Sequence, residues 1–415
     1  MVDPDAARRI VRENHAVNEL IEFGKLILVV SSGLLLAIGV RVVAGRLAIP
    51  TAGLLLVVAA VASDLSDRLA GILSFEDVQR IATLALVVIL FEGGSEIGLR
   101  RFRRAAVPIV ALGVLGTFGT AALVAVAAHV VLDLSWIVSG LIGAALAPTD
   151  PAVTFSVLAG KEVRGRSGTI LEGESGFNDP VGIALMVGLV ELATTDGGSF
   201  SIVVSEFALE MGIGLAVGVA GALVLVGLIR HAPLPDRTLY PVAVVLAAGA
   251  IYGAAAVAHG SGFLAVFVAG ILVGDLQYAE RSVVRSFNSA LSDLGELAAF
   301  VALGLTIDLA FIAQEGLWWR GLVLAVLLGV VIRPLVVGAL LVPMRLSWGE
   351  RGFVVWSGLK GAVPILLASL AVVGETDYAA QIYGIVFVVV LVSVVVQGTL
   401  VPTVARRLGV PMKDD

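Results

Sequence analysis

Long apolar stretches, separated by short segments rich in charged residues, glycine or proline, recur along the whole chain. A helix needs about 20 apolar residues to cross the hydrocarbon core of a bilayer. By this criterion the sequence predicts thirteen membrane-spanning helices, of which the second and ninth are short. They start near Leu26, Ile49, Ile81, Ala105, Ile137, Ser167, Met211, Leu239, Phe263, Leu294, Leu317, Phe353 and Ile382. The pattern therefore predicts an all-α polytopic membrane protein.

Composition supports this class and excludes others. Only 14% of the 415 residues are charged, whereas a soluble domain has about 25%. This excludes a soluble enzyme, a nucleic-acid binder and a disordered scaffold. The chain contains no cysteine, so disulfides, thiolate metal sites and cysteine nucleophiles are also excluded.

Positive charges are distributed unequally between the two sides of the predicted membrane. Of the 27 Lys and Arg residues, 18 follow odd-numbered spans and 7 lie in the opposite set of loops. Cytoplasmic loops keep an excess of positive charge. The count therefore predicts a multi-pass protein of the cell membrane with its N-terminus outside and its C-terminus in the cytoplasm.

The same pattern divides the chain into three regions. Residues 1–24 are polar and lead into a first span without a small-residue cleavage site, so we predict a retained extracellular segment and not a signal peptide. Residues 25–408 form the predicted transmembrane domain. Residues 409–415 form a predicted cytoplasmic tail.

Charged residues inside the predicted spans are the first candidates for function, because ionisable groups at membrane depth are costly. The bases are Arg333 and Lys360. The acids are Glu92, Asp150, Glu172, Glu174, Asp179, Asp293 and Glu296. Seven acids and two bases in one bundle favour a functional role over plain packing.

Spans five and twelve carry matching interruptions. Residues 147–151 read Ala-Pro-Thr-Asp-Pro, and each proline removes a backbone donor, so the helix should unwind there. Residues 358–364 read Gly-Leu-Lys-Gly-Ala-Val-Pro. Paired interruptions in two halves of a chain indicate a transporter with inverted repeats and a mid-membrane site. The two spans differ by an odd number of helices, so the copies run in opposite senses and we expect the broken helices to cross.

The charges at these interruptions have a predicted electrostatic role. Where two broken helices cross, two N-terminal and two C-terminal half-helix ends meet, each with about half a unit of partial charge. We expect Asp150 to neutralise the positive ends and Lys360 the negative ends. The alternative, that the prolines only kink ordinary helices, leaves both charges unexplained.

Span six presents a polar face. Glu174 and Asn178 are four residues apart, as are Ser175 and Asp179, so each pair shares one side of a helix. Hydroxyl, amide and carboxylate oxygens suit a hard monovalent cation, and a carboxylate can hold a proton instead. A polar network that only ties helices together is the alternative for Asp179. For Glu174 we expect a buried salt bridge with Arg333.

Four motifs stand together in these spans. They are Thr149-Asp150, Glu174-Ser175 with Asn178-Asp179, Arg333-Pro334, and Gly358-Leu359-Lys360-Gly361-Ala362. The set resembles the monovalent cation/proton antiporters of the NhaP and sodium/proton exchanger type, over roughly residues 25–408. The resemblance implies a six-helix core domain that moves against a dimerisation domain, in a homodimer.

A narrower likeness concerns the end of the chain. Residues 171–180 resemble the CvrA-type potassium/proton branch, whose members carry a cytoplasmic regulatory domain. Because this chain stops at Asp415, we expect that domain to be absent or removed.

Carried over residue by residue, the resemblance implies a cation and proton site on spans five and six. Asp179 would bind the cation or the proton, with Ser175 and Thr149 as further ligands of the monovalent cation. Asn178 would orient the site. Asp150 would lie beside it at the break of span five.

Further residues are implied around that site. Glu92 resembles an acid of span three that approaches the site in some members of the family. Glu174 would pair with Arg333. Lys360 stands where many relatives have arginine, so the charge is kept but the bidentate fork is lost.

The expected function is exchange of a monovalent cation for a proton, in the service of pH and cation homeostasis. Only Asp179 is left to alternate between the two ligands, so we expect electroneutral exchange. The expected substrates are Na+, K+ or Li+ and protons, with the lipid bilayer and a second copy as partners and no cofactor or nucleic acid. A sodium-coupled symporter of a small solute and an ion channel are the alternatives. An intramembrane enzyme is disfavoured because no base is placed to activate a nucleophile.

Overall fold

The computed structural model describes residues 24, 27–28, 30–45, 50–66, 69, 71–158, 161–163, 166–195, 200–231 and 234–414. The predicted segment of residues 1–24 lies, except for Gly24, outside the described residues. Nearly all of the described chain is helical. Six of its helices are long and apolar enough to cross a membrane, and five shorter apolar helices accompany them. These findings confirm the predicted all-α, multi-pass membrane class.

The helices follow one another through short connections. In chain order they are α1 (Val30–Gly45), α2 (Thr51–Asp64), α3 (Phe75–Val110), α4 (Thr117–Leu132), α5 (Trp136–Leu146), α6 (Pro151–Ser156), α7 (Arg166–Thr194), α8 (Phe200–His231), α9 (Leu239–Val257), α10 (Gly262–Gly274), α11 (Arg281–Leu305), α12 (Leu309–Gln314), α13 (Leu317–Val326), α14 (Arg333–Leu341), α15 (Trp348–Trp356), α16 (Ala362–Val373), α17 (Ala379–Val392) and α18 (Thr399–Arg407). π-helical stretches join α3 to α4 (Ala111–Gly116), α13 to α14 (Leu327–Ile332) and α17 to α18 (Ser393–Gly398).

Gly98 separates the third and fourth predicted spans, which are otherwise continuous within α3. Its φ is 64°, in the left-handed region that residues with a side chain rarely adopt. The Asp275 carboxylate accepts a hydrogen bond from the Arg100 amide at 2.7 Å, so it supplies the capping acceptor for the helix that resumes after Gly98. The fourth span thus starts ahead of its predicted start at Ala105.

Among the other helices, two start much earlier than predicted. α8 starts at Phe200 instead of near Met211, and α11 starts at Arg281 instead of near Leu294. Both helices have polar or charged residues in their first turns. A criterion based on apolar length alone misses such turns.

Both predicted interruptions are present in the structure. α5 ends at Leu146 and α6 begins at Pro151, with residues 147–150 non-helical between them. α15 ends at Trp356 and α16 begins at Ala362, with residues 357–361 non-helical. Residues 147–150 and 357–361 are together called the junction below, because they contact each other.

A small antiparallel sheet joins two distant segments. Strand β1 (Lys161–Val163) follows α6, and strand β2 (Met412–Asp414) lies near the end of the chain; the two pair directly. The sequence does not predict this sheet. The pairing brings the loop after span five and the C-terminal tail to the same side of the bundle, which agrees with the alternation of positive charges.

Candidate cation and proton site

The two interrupted helices meet through backbone and side-chain hydrogen bonds. The Asp150 amide donates to the Leu359 carbonyl at 2.8 Å. The Thr154 hydroxyl, on α6, donates to the Ser357 carbonyl at 2.8 Å. Backbone groups freed by unwinding are therefore satisfied from the opposite break, as buried polar groups require.

Asp150 serves the positive ends of both short helices. Its carboxylate accepts a hydrogen bond from the Ala152 amide at 2.9 Å and caps α6. The same carboxylate interacts with the amide of Ala362, the first residue of α16. One acid thus faces two helix N-termini, where negative charge is favourable.

The two negative ends are held by different residues. Lys360 is buried and its ammonium group donates to the carbonyls of Ala147 and Pro148, at 3.0 and 2.8 Å, just past the end of α5. Arg333 donates to the carbonyls of Val354 and Val355, at 3.2 and 2.9 Å, at the end of α15. Lys360 therefore contacts only one of the two ends that the sequence analysis assigned to it.

Arg333 also forms an ion pair with Glu174. The two side chains are each 3% exposed, and the two guanidinium-to-carboxylate contacts measure 3.0 and 3.2 Å. The backbone of Gly358 passes so close that a Cβ there would overlap the Arg333 guanidinium. The arginine is thus fixed by a carboxylate and two carbonyls, a geometry that suits its planar fork. Sequence reasoning found the pair but missed the carbonyl contacts, which leave no trace in side-chain patterns.

On α7, Asn178 binds the first break and Asp179 does not. The Asn178 side chain donates to the Thr149 hydroxyl at 2.7 Å and accepts from the Thr149 amide at 3.3 Å. Asp179 is 4% exposed and interacts with the Ser175 hydroxyl, yet its Oδ1 has no hydrogen-bond partner in the described part of the chain. A buried carboxylate oxygen without a partner costs free energy, so it marks a place where a ligand is expected.

A cavity of about 190 Å³, called the acidic cavity below, lies against Asp179. Six carboxylates line it, together with Ser175 and apolar side chains: Glu92, Glu96, Asp150, Glu172, Asp179 and Glu296. Glu92 is 6% exposed, and neither of its carboxylate oxygens has a partner among the described residues. Thr149 and Asn178, predicted as site residues, bind each other and are not among the residues that line this cavity.

Asp293 does not belong to this acidic set. Its side chain is 48% exposed and forms an ion pair with Arg41 at 2.9 Å. The expectation that it is a buried acid is therefore wrong, because its helix, α11, is amphipathic and Asp293 lies on the polar side.

Two of the carboxylates that line the acidic cavity form ion pairs with arginines. Glu96 pairs with Arg285 at 3.0 Å, and Glu172 with Arg101 at 3.3 Å. Glu96 is exposed, so this end of the cavity is its mouth. An entering cation would meet carboxylates at the mouth, at Glu92 and at Asp179.

The acidic cavity presents carboxylates that do not converge on one point. Within the described ranges, no three His, Cys, Asp or Glu side chains converge closely enough to hold a metal ion. At Asp179 one carboxylate lies beside the hydroxyl of Ser175. Such a site can hold one positive charge, either a proton or a cation.

Fold and site together define an integral membrane protein with a charged, discontinuous-helix centre, as found in secondary transporters. The family described as "Sodium/hydrogen exchanger, transmembrane" matches residues 26–407. The chain therefore belongs to the sodium/hydrogen exchanger family.

Several relatives are similar over most of this chain. The K+/H+ antiporter NhaP2 of Shewanella sp. (strain ANA-3) is 33% identical over 376 residues, which cover 89% of this chain and 64% of that protein. The K+/H+ antiporter NhaP of Alkalimonas amylolytica is 32% identical, over 93% of this chain and 67% of that protein. The Na+/H+ antiporter NhaH of Halobacillus aidingensis is 28% identical, over 72% of this chain and 76% of that protein. This chain thus spans a little under two thirds of the length of the NhaP2 relative.

A solved structure shares the fold. The sodium proton antiporter MjNhaP1 from Methanocaldococcus jannaschii, solved at pH 8, superposes with a TM-score of 0.78 and 24% sequence identity. The match covers 91% of this chain and 99% of that chain.

Proposed function

We propose that this protein is a secondary active antiporter that exchanges a monovalent cation, Na+ or K+, for a proton across the cell membrane. The observation that carries the proposal is the buried Asp179 carboxylate, which faces the acidic cavity with an unpartnered oxygen. Family membership and the printed functions of the relatives support it.

In the proposed mechanism, proton and cation compete for Asp179. A cation that enters through the acidic cavity displaces the proton, with Ser175 and the Thr149 region as neutral ligands. Asn178 orients this region through its bonds to Thr149. Asp150 and Glu92 add negative potential along the path. The site carries the same charge with either ligand, so exchange of one cation for one proton is electroneutral.

The proposed architecture has thirteen spans arranged as inverted repeats, with the broken helices of spans five and twelve crossing at the junction. The hydrogen bond from Asp150 to Leu359 supports this arrangement. We propose a cytoplasmic C-terminus and an extracellular N-terminus. We also propose a homodimer in which the core domain moves against the dimerisation domain, both within residues 25–408. The mouth at Glu96 then faces the cytoplasm.

We propose that contacts at the opposite end of these helices close the cavity. Gln79 of α3 donates to the Ser369 hydroxyl of α16 at 3.2 Å, and the hydroxyls of Thr306 and Tyr383 are 2.5 Å apart. The first contact joins two helices that line the acidic cavity, and the second joins the end of α11, which also lines it, to α17, which does not. If the core moves, they must separate in each transport cycle.

The absence of cysteine makes this motion directly testable. A Q79C/S369C double variant should lose exchange on treatment with a short bifunctional thiol reagent and regain it on reduction. We assign Ser63 and Leu305 to the same domain, so the S63C/L305C pair serves as the control; in the structure the Ser63 hydroxyl donates to the Leu305 carbonyl. Unchanged exchange in cross-linked Q79C/S369C would rule out a gate at this end.

The function itself is tested with purified protein in proteoliposomes that hold a proton gradient. Addition of sodium, potassium or lithium chloride should dissipate the gradient for at least one cation, and D179N should respond like protein-free vesicles. Currents that continue without a proton gradient would favour a channel. Uptake of a labelled solute driven by sodium would favour a symporter.

A further inference from the structure

The end of α15 is held by an uncharged side chain as well as by Arg333. The last carbonyls of a helix lack partners within it, and Arg333 accounts for those of Val354 and Val355. The Gln397 side-chain amide donates to the next carbonyl, that of Trp356, at 2.6 Å. The Trp356 indole donates back to the Gln397 carbonyl at 3.3 Å. This reciprocal contact ties the last helix of the chain to the place where α15 unwinds.

Ser393 extends the contact into the unwound segment. Its hydroxyl accepts a hydrogen bond from the backbone amide of Lys360 at 3.0 Å and donates to Gln397 Oε1 at 3.2 Å. Both residues belong to the π-helical stretch Ser393–Gly398. π-helical turns are rare and occur frequently at functional sites. Here the stretch presents two polar side chains to the end of α15 and to the junction.

Side-chain packing alone does not hold this face of the junction. A second cavity, of about 120 Å³, lies there and is lined by Arg333, Lys360, Ser393 and Gln397 among other residues. A cavity of this size can hold water. Because the space is not filled by side chains, two hydrogen bonds fix the backbone on this side: Ser393 accepts from the Lys360 amide, and Gln397 donates to the carbonyl of Trp356, just before residues 357–361.

We propose that Ser393 and Gln397 are positioning residues for the ion site, which they reach through residues 357–361. Neither side chain lines the acidic cavity. They hold the segment in which the Leu359 carbonyl accepts a hydrogen bond from the Asp150 amide. Asp150 in turn forms part of the wall of the acidic cavity. This inference rests on the proposed antiport function and names residues that no motif in the sequence singles out.

Two variants remove the contacts with little change in volume or charge. Q397M deletes the amide, and S393A deletes the hydroxyl. The matched control is T399V on the same helix, because the hydrogen bonds of the Thr399 hydroxyl within the described structure go to carbonyls of its own helix, those of Val395 and Val396. Each protein is reconstituted, and exchange rates are recorded against sodium chloride and potassium chloride concentration. Hydrogen–deuterium exchange of the peptide that contains residues 357–361 is measured on the same preparations.

The positioning role predicts a change in apparent affinity and not in maximal rate. The half-saturating cation concentration should rise about threefold to tenfold in Q397M and S393A, the range that loss of one hydrogen bond gives, while the maximal rate stays within about twofold. Amide exchange at residues 357–361 should accelerate in both variants. T399V should match the wild type in all three measurements.

Two results would overturn the inference. One is unchanged amide exchange and unchanged half-saturating concentration in both variants. The other is a loss confined to maximal rate and folded yield, which indicates a purely structural role. If the wild type itself shows no cation-driven proton flux, the antiport proposal fails, and the amide-exchange measurement still decides whether Ser393 and Gln397 fix the segment.

Discussion

The junction and the acidic cavity are neighbours, yet they treat buried charge in opposite ways. At the junction, Lys360 and Arg333 are bonded to carbonyls at helix ends, and Arg333 also to Glu174. In the cavity, Asp179 and Glu92 keep carboxylate oxygens without partners among the described residues. Buried charges with full sets of partners hold a structure together, whereas unpartnered ones are available to bind and release ligands. We therefore expect substitutions of charged residues at the junction to lower stability, and substitutions of charged residues in the acidic cavity to lower transport.

The largest expected effect on transport is at Asp179. Asp179→Asn keeps the shape but removes the exchangeable proton and the full negative charge, so cation-driven proton flux should fall to background. Thermal stability in detergent should be unchanged or higher, because no ion pair is lost. Flux assays and melting curves on one preparation test both parts. Retained exchange would remove Asp179 from the mechanism.

At the junction, the largest effects should be on stability. Glu174→Ala or Arg333→Ala leaves a buried charge without its partner, at a cost of about 3 to 5 kcal/mol. Arg333→Ala should be the more harmful, because it also strands the carbonyls of Val354 and Val355, and each buried unsatisfied group costs about 1 to 3 kcal/mol.

A double-mutant cycle measures this pair. The double variant should be less destabilised than the sum of the two single variants, as judged by melting in detergent. Leu370→Ala, on α16, provides a control without charge loss. Additive losses for Glu174 and Arg333 would mean that the ion pair does not contribute.

The contrast between the two regions also separates what sequence can and cannot predict. The prolines at positions 148, 151 and 364 identify both breaks, because their effect on the helix is local. Both bases and most of the acids could be found by their position inside apolar spans, whereas this criterion selected the exposed Asp293 and missed Glu96, which lines the acidic cavity at its mouth. Sequence could not predict that Lys360 binds the end of one helix and Arg333 the end of the other, because the acceptors are backbone carbonyls, which every residue carries.

Other features depended on contacts distant in sequence. Asp275 provides the acceptor at the restart of the helix after Gly98, although it lies 175 positions away from its partner Arg100. Gln397 and Ser393 lie in an apolar span, and the sequence there does not indicate which groups these polar side chains contact. The assignment of Thr149 and Asn178 to the ion site stays a prediction, since in this structure they bond to each other.

A smaller effect is expected at Glu92. It lines the acidic cavity with Asp179 but lies on α3, and Glu92→Gln should weaken apparent cation affinity by a few-fold while exchange continues. Stability should not fall, because the carboxylate has no hydrogen-bond partner to lose among the described residues. Glu296→Gln, on the other side of the same cavity, is the matched variant. Loss of exchange as complete as in Asp179→Asn would make Glu92 a second essential ligand and weaken the single-carboxylate mechanism.

The last prediction concerns membrane voltage, which should not change the exchange rate of the wild type. Asn178 stands next to Asp179 where a second carboxylate would permit a second proton, and an amide does not titrate. Glu174 is engaged by Arg333, and Asp150 by the helix N-termini, so one carboxylate remains to alternate between proton and cation. Because the site then has the same charge in both loaded forms, its movement across the membrane does no electrical work. The test sets the potential with potassium and valinomycin and follows exchange with sodium as the substrate, in the wild type and in Glu92→Gln. A rate or endpoint that shifts with voltage in the wild type, and no longer shifts in Glu92→Gln, would identify Glu92 as a second titrating acid and replace electroneutral exchange with two protons per cation.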